Sequence, residues 1–447
     1  MSTQKEGRTK TAEAKPKREK KKAKEAAVSQ PAAEKPKAAQ KATGGCEAIA
    51  SERPLPVGQA VVNIGMIGHV DHGKTSLTEK LSGKWTDTHS EEIKRGISIR
   101  LGYADSVFRR CPKCRAFGIT EKCAECGSET VPERKVSFVD APGHETLMAT
   151  MLSGAALMHG AVLVVAANEP FPQPRTVEHL MAIKMSGIKH VVVAQNKIDL
   201  VEKEKALEQQ REIRKFLTEM GYGNAPIIPT SASFGANIGL LIQAIEEEIP
   251  TPQFDRAKPL KMFVARSFDA NRPGISPEKL KGGIIGGTIT QGIARIGDEI
   301  EIKPGLDDKA IQTRIVSIGT ENEIIQEALP GGLIAIQTEL DSNLTKNDQM
   351  RGQVAGIKGS LGEPTTKLLL ELHEFKRLAM QNSAISVSET IMLTIGTMSL
   401  LGTVLRAKGN DLQLNLRSAV VIEKGQTVAI SKRDGTHWRL VAYGIQK

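Results

Sequence analysis

The residues best able to do chemistry stand at positions 68–76. Gly68-His-Val-Asp-His-Gly73-Lys74-Thr75 fits the spacing G-x-x-x-x-G-K-[S/T] at every position. Glycines let such a loop turn tightly, and a helix opening at its end aims backbone N–H groups into it. Loops of this kind bind a polyphosphate. The stretch Asp71, His72, Gly73, Lys74, Thr75 and Ser76 would surround it. The Lys74 ammonium would reach the β/γ-phosphates and the Thr75 hydroxyl would coordinate Mg²⁺. A second group, Asp140-Ala-Pro-Gly143-His144, follows the apolar run Val136–Val139. Asp140 could hold the Mg²⁺ water shell, Gly143 N–H could sense a γ-phosphate, and His144 could orient an attacking water.

A third group follows Val191–Ala194. In Asn196-Lys197-Ile198-Asp199 the final carboxylate can accept from both N1–H and the N2 amine of guanine, a donor pair that adenine lacks. Ser231-Ala232-Ser233, after Ile227–Pro229, fits a loop that gives a backbone N–H to the guanine O6. Ser98, in Lys94-Arg-Gly96-Ile-Ser98-Ile, lies where a first switch would set a hydroxyl on Mg²⁺. Each tetrapeptide alone is a weak signal. All of them in this order, each at a strand end, point to a GTP-binding domain.

Four of the five cysteines form a different constellation. Cys111-x-x-Cys114 and Cys123-x-x-Cys126 are two knuckles eight residues apart. This is metal spacing and implies a reducing compartment. Four soft thiolates with no open position suit a structural Zn²⁺.

These groups need elements to hold them. From about residue 58 to 250 strand-length apolar runs alternate with helical stretches. The strands are Val61–Ile67, Val136–Val139, Ala161–Ala167, Val191–Ala194 and Ile227–Pro229, and the helices include Thr176–Met185 and Glu202–Met220. Such alternation builds a mostly parallel sheet covered by helices on both faces, with nucleotides bound at the carboxyl ends of the strands. Beyond about residue 257 short β-rich runs take over. Turn signals separate them: Gly282-Gly283, Gly286-Gly287, Pro304-Gly305 and Pro330-Gly-Gly332. The expected architecture is therefore an α/β P-loop GTPase domain followed by two β-barrel domains. We place a basic tail at 1–57, the GTP-binding domain at 58–252 with the cysteine insert at 108–130, and barrels at 253–358 and 359–447. A break near Gly356–Glu363 divides the barrels.

Composition narrows the classes. At 447 residues the chain is too long for one core. Aromatics make up only 3%, which disfavours base stacking as the main route to nucleic acid. The net charge of +10 is uneven: residues 1–45 hold 13 Lys/Arg and 5 Glu, a charge of +8. That segment cannot bury enough surface to offset its ordering entropy, so it reads as disordered, with weak RNA contact as an addition. No run is long and apolar enough to span a membrane, and no signal peptide opens the chain, so the expected compartment is the cytoplasm.

With these motifs together, the chain resembles translational GTPases. The phosphate loop, Arg95-Gly-Ile-Ser-Ile, Asp140-Ala-Pro-Gly-His, Asn196-Lys-Ile-Asp and two barrels carry that likeness over roughly residues 58–447. The cysteine insert, Leu101-Gly-Tyr-Ala-Asp105 and Val139–Gly154 narrow it to the gamma subunit of archaeal and eukaryotic translation initiation factor 2. The resemblance implies a GTP/GDP- and Mg²⁺-dependent hydrolase that carries methionylated initiator tRNA to the small ribosomal subunit. It implies a heterotrimer with alpha and beta subunits, alpha on the first barrel and beta on the GTPase domain. The tRNA end would lie between the GTPase domain and the first barrel, with Gly282–Thr290 lining the pocket of the terminal adenosine. Asp71 and Gly96 would match positions that hold a second Mg²⁺, and Asp71 would join His144 among the catalytic residues. Where this chain has Ser98 the family mostly has Thr, so coordination survives with a looser closed switch.

Two alternatives remain at this point. One is an elongation-factor-type carrier of another aminoacyl-tRNA, which the cysteine insert disfavours. The other is a non-hydrolysing nucleotide-bound scaffold, which the unbroken motifs disfavour.

Overall fold

The computed structural model describes residues 58–87, 98, 100–144, 147–271, 276, 280–375, 384–435 and 437–447. The basic tail and Gly96 lie outside them. The first sheet alternates with helices: β1 Asn63–Ile67, α1 Lys74–Ser82, β2 Gly102–Arg110, β3 Phe117–Gly118, β4 Val131–Asp140, α2 Met148–Ala155 and β5 Gly160–Ala166. There follow α3 Pro174–Met185, β6 Val191–Asn196, α4 Lys203–Met220, β7 Ile227–Pro229 and α5 Ile238–Glu248. The strand order is β3-β2-β4-β1-β5-β6-β7. Strands β4, β1, β5, β6 and β7 are parallel, while β2 runs antiparallel to β4 and β3 antiparallel to β2.

The unbroken apolar runs become strands because both faces are covered. Every residue of β1, β5 and β6 is buried. One face packs Ile67, Val139 and Leu163 against Leu180 and Leu217 of α3 and α4. The other packs Ile64, Met66 and Val164 against Leu77 and Leu81 of α1 and Ile245 of α5. In α4 the buried residues are Gln209, Ile213, Leu217 and Met220, a single stripe at helical spacing. Strand β4 runs to ten residues where the apolar pattern suggested four. Its polar first half is held by pairing with β2, Gly102 opposite Asp140 and Arg110 opposite Val131, and the cysteines occupy the far end of this antiparallel pair.

The rest is β. Strands β8 Lys261–Phe268, β9 Ile284–Gln291, β10 Ala294–Arg295, β11 Glu299–Leu306, β12 Lys309–Gly319, β13 Ile324–Ile325, β14 Glu327–Ala328, β15 Leu333–Thr338 and β16 Val354–Ile357 make the first barrel region. The order β11-β16-β8-β9-β15-β12 closes through β11–β12 pairing, with β13 beyond β12 and β10 paired to β14. The second barrel closes in the order β17-β20-β19-β18-β21-β22, using β17 Thr365–Glu374, β18 Thr390–Ile395, β19 Met398–Lys408, β20 Asp411–Val420, β21 Thr427–Asp434 and β22 His437–Gln446. Each barrel has its own apolar interior.

Two turn signals lie inside strands. Gly286-Gly287 is part of β9, between β8 and β15. A Cβ on Gly287 would lie 1.9 Å from Phe263 O, so glycine there permits close strand approach. Pro304-Gly305 sits in β11 at an irregular register between Ile302 and Leu306. Gly282–Thr290 is thus mostly a central barrel strand. Gly356 belongs to β16, so the gap between barrels starts after Ile357. The α2 helix lies where the parts meet: its core cluster includes Ala265 of the first barrel and Ala429 and Leu440 of the second. Among the described residues no helix is long and apolar enough to cross a membrane.

Candidate nucleotide site and cysteine cluster

The phosphate loop leaves β1 and is fastened from three sides. Gly68 N–H donates to His179 Nδ1 of α3 at 3.1 Å. His72 bonds through Nδ1 to Val164 O of β5 at 3.0 Å, and its Nε2 lies 3.3 Å from Glu169 Oε2. Asn196 Nδ2, at the end of β6, donates to His72 O at 2.9 Å. Burial holds His179 well below the ordinary histidine range, which keeps its Nδ1 an acceptor. Gly73 takes φ 86° and starts α1 without a side-chain cap, so the helix N-terminus faces the loop. Thr75 and half-buried Ser76 lie in its first turn, and exposed Asp71 takes φ 61° in the loop.

Lys74 is buried, and its Nζ donates to His69 O at 2.7 Å. Burial lowers its pKa, while Asp140, Asp71 and Asp87 pull it back up. Gly143 comes so close that a Cβ there would lie 2.5 Å from Lys74 Nζ and 2.8 Å from Val70 N. The second motif therefore rests on the phosphate loop itself. Half-buried His144 follows it, and its carbonyl accepts from Leu147 N–H at 3.0 Å.

Beside Lys74 lies a cluster of oxygens. Thr75 Oγ1 donates to Asp140 Oδ2 at 2.8 Å and stands 3.2 Å from Ser98 Oγ. Ser98 Oγ donates to Asp87 Oδ2 at 3.0 Å, and Thr86 Oγ1 to Asp140 Oδ2 at 2.7 Å. Asp140 is fully buried, and its Oδ1 has no hydrogen-bond partner. Burial pushes its pKa up to about 6, against the pull of Lys74 and the two threonine hydroxyls. A buried carboxylate with an orphaned oxygen beside two hydroxyls is a donor set of hard oxygens that fits Mg²⁺.

The end expected to hold the base is built from β6 and β7. Asn196 Oδ1 accepts from Ala232 N–H at 3.0 Å, so one side chain joins the phosphate loop to the Ser231-Ala232-Ser233 loop. Ser231 is buried and pairs with Ala236, while Ser233 is exposed. Lys197 takes φ 61°, which turns the chain out of β6 and leaves Asp199 exposed beyond it.

The four cysteines converge as their spacing requires. Their sulfurs lie within 4.8 Å of one another, with Cys111–Cys126 at 3.5 Å and Cys114–Cys123 at 3.4 Å. Zn–S bonds of about 2.3 Å in a tetrahedron set sulfurs roughly 3.8 Å apart, so the cluster is compatible with zinc. The knuckles repeat one geometry: Arg115 N–H returns to Cys111 O and Gly127 N–H to Cys123 O, with φ of 65° and 69°. The Ser128 hydroxyl holds Cys126 down to about 6, within reach of a thiolate.

Sequence reading missed Thr86, Asp87, Glu169 and His179. None sits in a motif. Thr86 and Asp87 enter the site because the chain leaving α1 passes the end of β4, and His179 because α3 packs under the loop.

Comparison with known proteins agrees with this arrangement. Residues 59–251 match the family model of the elongation factor Tu GTP binding domain, and residues 365–446 that of initiation factor eIF2 gamma, C terminal. The translation initiation factor 2 subunit gamma of Methanothermobacter thermautotrophicus is 52% identical over 405 residues, covering 87% of this chain and 99% of that one. Its counterpart from Pyrococcus furiosus is 51% identical over 402 residues, covering 87% and 98%. Among solved structures, a bacterial selenocysteine-specific elongation factor EF-Sec shares the fold at a TM-score of 0.69 and 24% identity, over 86% of this chain and 58% of that one. Elongation factor SelB from Methanococcus maripaludis does so at 0.66 and 21%, over 87% and 79%. The chain belongs to the gamma-subunit family of translation initiation factor 2, the GTP-binding and GTP-hydrolysing core of that factor.

Proposed function

We propose that the chain carries methionylated initiator tRNA to the small ribosomal subunit, in the cytoplasm, in a heterotrimer with the alpha and beta subunits. The observation that supports this best is the oxygen cluster. Thr75 of the phosphate loop, Ser98 of the first switch and Asp140 at the second all converge there. Bound Mg²⁺ supplies neutralising charge for the triphosphate. Thr75 and Ser98 would hold it directly and Asp140 through water, with Asp71 and Gly96 bearing a second ion. Lys74 binds the β/γ-phosphates, Gly143 N–H senses the γ-phosphate, and His144 orients the attacking water. Asn196, Lys197 and Asp199 hold guanine, with Ala232 N–H near its O6. Cys111, Cys114, Cys123 and Cys126 hold one Zn²⁺, which elemental analysis would count as one per chain.

The relatives near 50% identity are named as gamma subunits of the initiation factor, which favours this reading over an elongation-type carrier. The test uses the intact trimer with initiator and elongator tRNAs, each with GDP and with a non-hydrolysable GTP analogue. Initiator tRNA should bind about 5- to 150-fold tighter with the analogue, the usual range for coupling between two sites. Equal affinities in both states would promote the scaffold reading, and a preference for elongator tRNA the elongation reading.

A further inference from the structure

The loop before β16 reaches back to the GTPase domain at two points. Arg351 Nη2 donates to Ser153 Oγ of α2 at 2.9 Å, and that hydroxyl also donates to Thr150 O at 2.9 Å. Three residues earlier, Asp348 takes φ 61°, and its Oδ1 accepts from Arg266 Nε at 2.9 Å and Ser267 N–H at 3.0 Å. Its Oδ2 lies 3.7 Å from Arg100 Nη1. Arg351 N–H returns to Asp348 O at 2.9 Å, and Met350 N–H to Ser267 Oγ at 3.0 Å, so the loop is a rigid piece of the first barrel.

The partners on the GTPase side have one thing in common. Arg100 stands two residues after Ser98, and α2 begins four residues after His144. Each follows a proposed switch residue closely in the chain. Leu101, the residue after Arg100, packs against the backbone of α2: a Cβ on Gly154 would lie 2.6 Å from Leu101 Cδ2. Half-buried Tyr103, three residues after Arg100, has a buried hydroxyl without a hydrogen-bond partner, and burial raises its pKa, opposed by the charges of Arg266 and Arg351.

We propose that Asp348 and Arg351 are positioning residues through which the first barrel holds both switch-following segments in one register. The proposal rests on Ser98 and Gly143 being switch residues. Arg351 fixes α2, Asp348 fixes Arg266 and draws Arg100, and the Leu101–Gly154 contact joins the two. The barrel thereby favours the arrangement in which Ser98 lies at Thr75.

Amide hydrogen exchange of the full-length chain, with GDP and with the non-hydrolysable analogue, tests this without tRNA. In the parent protein, protection of residues 148–155 and 342–352 should be at least fivefold greater with the analogue. Arg351→Met should remove most of that difference while nucleotide affinity stays within twofold, and Arg351→Lys, which keeps a donor for Ser153, should restore at least half of it. If Arg351→Met loosens both nucleotide states equally with a fall in Tm, Arg351 is a structural contact and the proposal is overturned. It is also overturned if the variant keeps the full difference, or if the parent shows none. A lack of nucleotide preference in tRNA binding, by contrast, would sink the carrier reading and leave the exchange result standing.

Discussion

The two ends of the nucleotide site are built on different terms. At the base end both polar atoms of the Asn196 amide are used within the protein, one on His72 O and one on Ala232 N–H. At the phosphate end Asp140 Oδ1 has no partner, a buried ammonium is capped by a carbonyl, and the Thr75 and Ser98 hydroxyls share the Asp87 carboxylate. A satisfied network is rigid, while a cluster of desolvated charges responds to what binds it. The base end should therefore set which nucleotide binds, and the phosphate end should sense how many phosphates it carries.

The comparison breaks most severely at Asn196. Asn196→Ala leaves two buried groups without partners, each costing about 1–3 kcal/mol. It should lower unfolding stability by about 4 kcal/mol and weaken GDP and GTP analogue alike, as titration calorimetry and denaturant unfolding would record. Equal stability of variant and parent would mean that the amide bridges nothing. Gly143→Ala comes next. Its methyl must displace Lys74 Nζ or the backbone at Val70, overpacking that costs about 1–3 kcal/mol. Analogue affinity should fall by roughly that amount and hydrolysis more, while GDP, which meets Lys74 only through its β-phosphate, should lose less; a loss for GDP as large as for the analogue would place Gly143 outside the γ-phosphate's reach.

A smaller effect serves as a control away from both ends. His159 Nδ1 accepts from Asn63 N–H at 3.0 Å, and its ring meets Phe254 edge-on. Burial lowers its pKa from 6.5 to about 4. The folded pKa lies below the unfolded one, so the neutral ring's contribution is complete above pH 6.5 and is lost as pH falls from 6.5 toward 4. The loss is about 2 kcal/mol, allowing for partial solvent access. His159→Asn keeps an acceptor and cannot protonate, so its stability should fall less over that range. If the two proteins track each other, His159 does not titrate as its burial requires.

How much of this was legible in the sequence follows from locality. The cysteine cluster lies within sixteen residues, and its spacing alone anticipated the convergence of the four sulfurs. The nucleotide motifs were readable because each is a short segment at a strand end. What joins them was not: Asp87 and His179 come from segments with no motif, brought in by the packing of α1 and α3 against the sheet. In the barrels the same limit took another form. Gly286-Gly287 reads as a turn by residue type, and only the approach of Phe263 O explains why it lies within a strand.

The division between the two ends is tested most directly by the ratio of Kd for GDP to Kd for a non-hydrolysable GTP analogue, measured with Mg²⁺ in two variants. Asp199→Asn removes the carboxylate proposed to accept from guanine, so both dissociation constants should rise together and the ratio should hold. Ser98→Ala removes a hydroxyl from the oxygen cluster proposed to hold Mg²⁺, so the analogue should weaken by about 1.5–3 kcal/mol, the scale of one hydrogen bond to a charged group, while GDP stays unchanged and the ratio falls roughly 10- to 150-fold. A ratio that moves in Asp199→Asn and holds in Ser98→Ala would contradict the account.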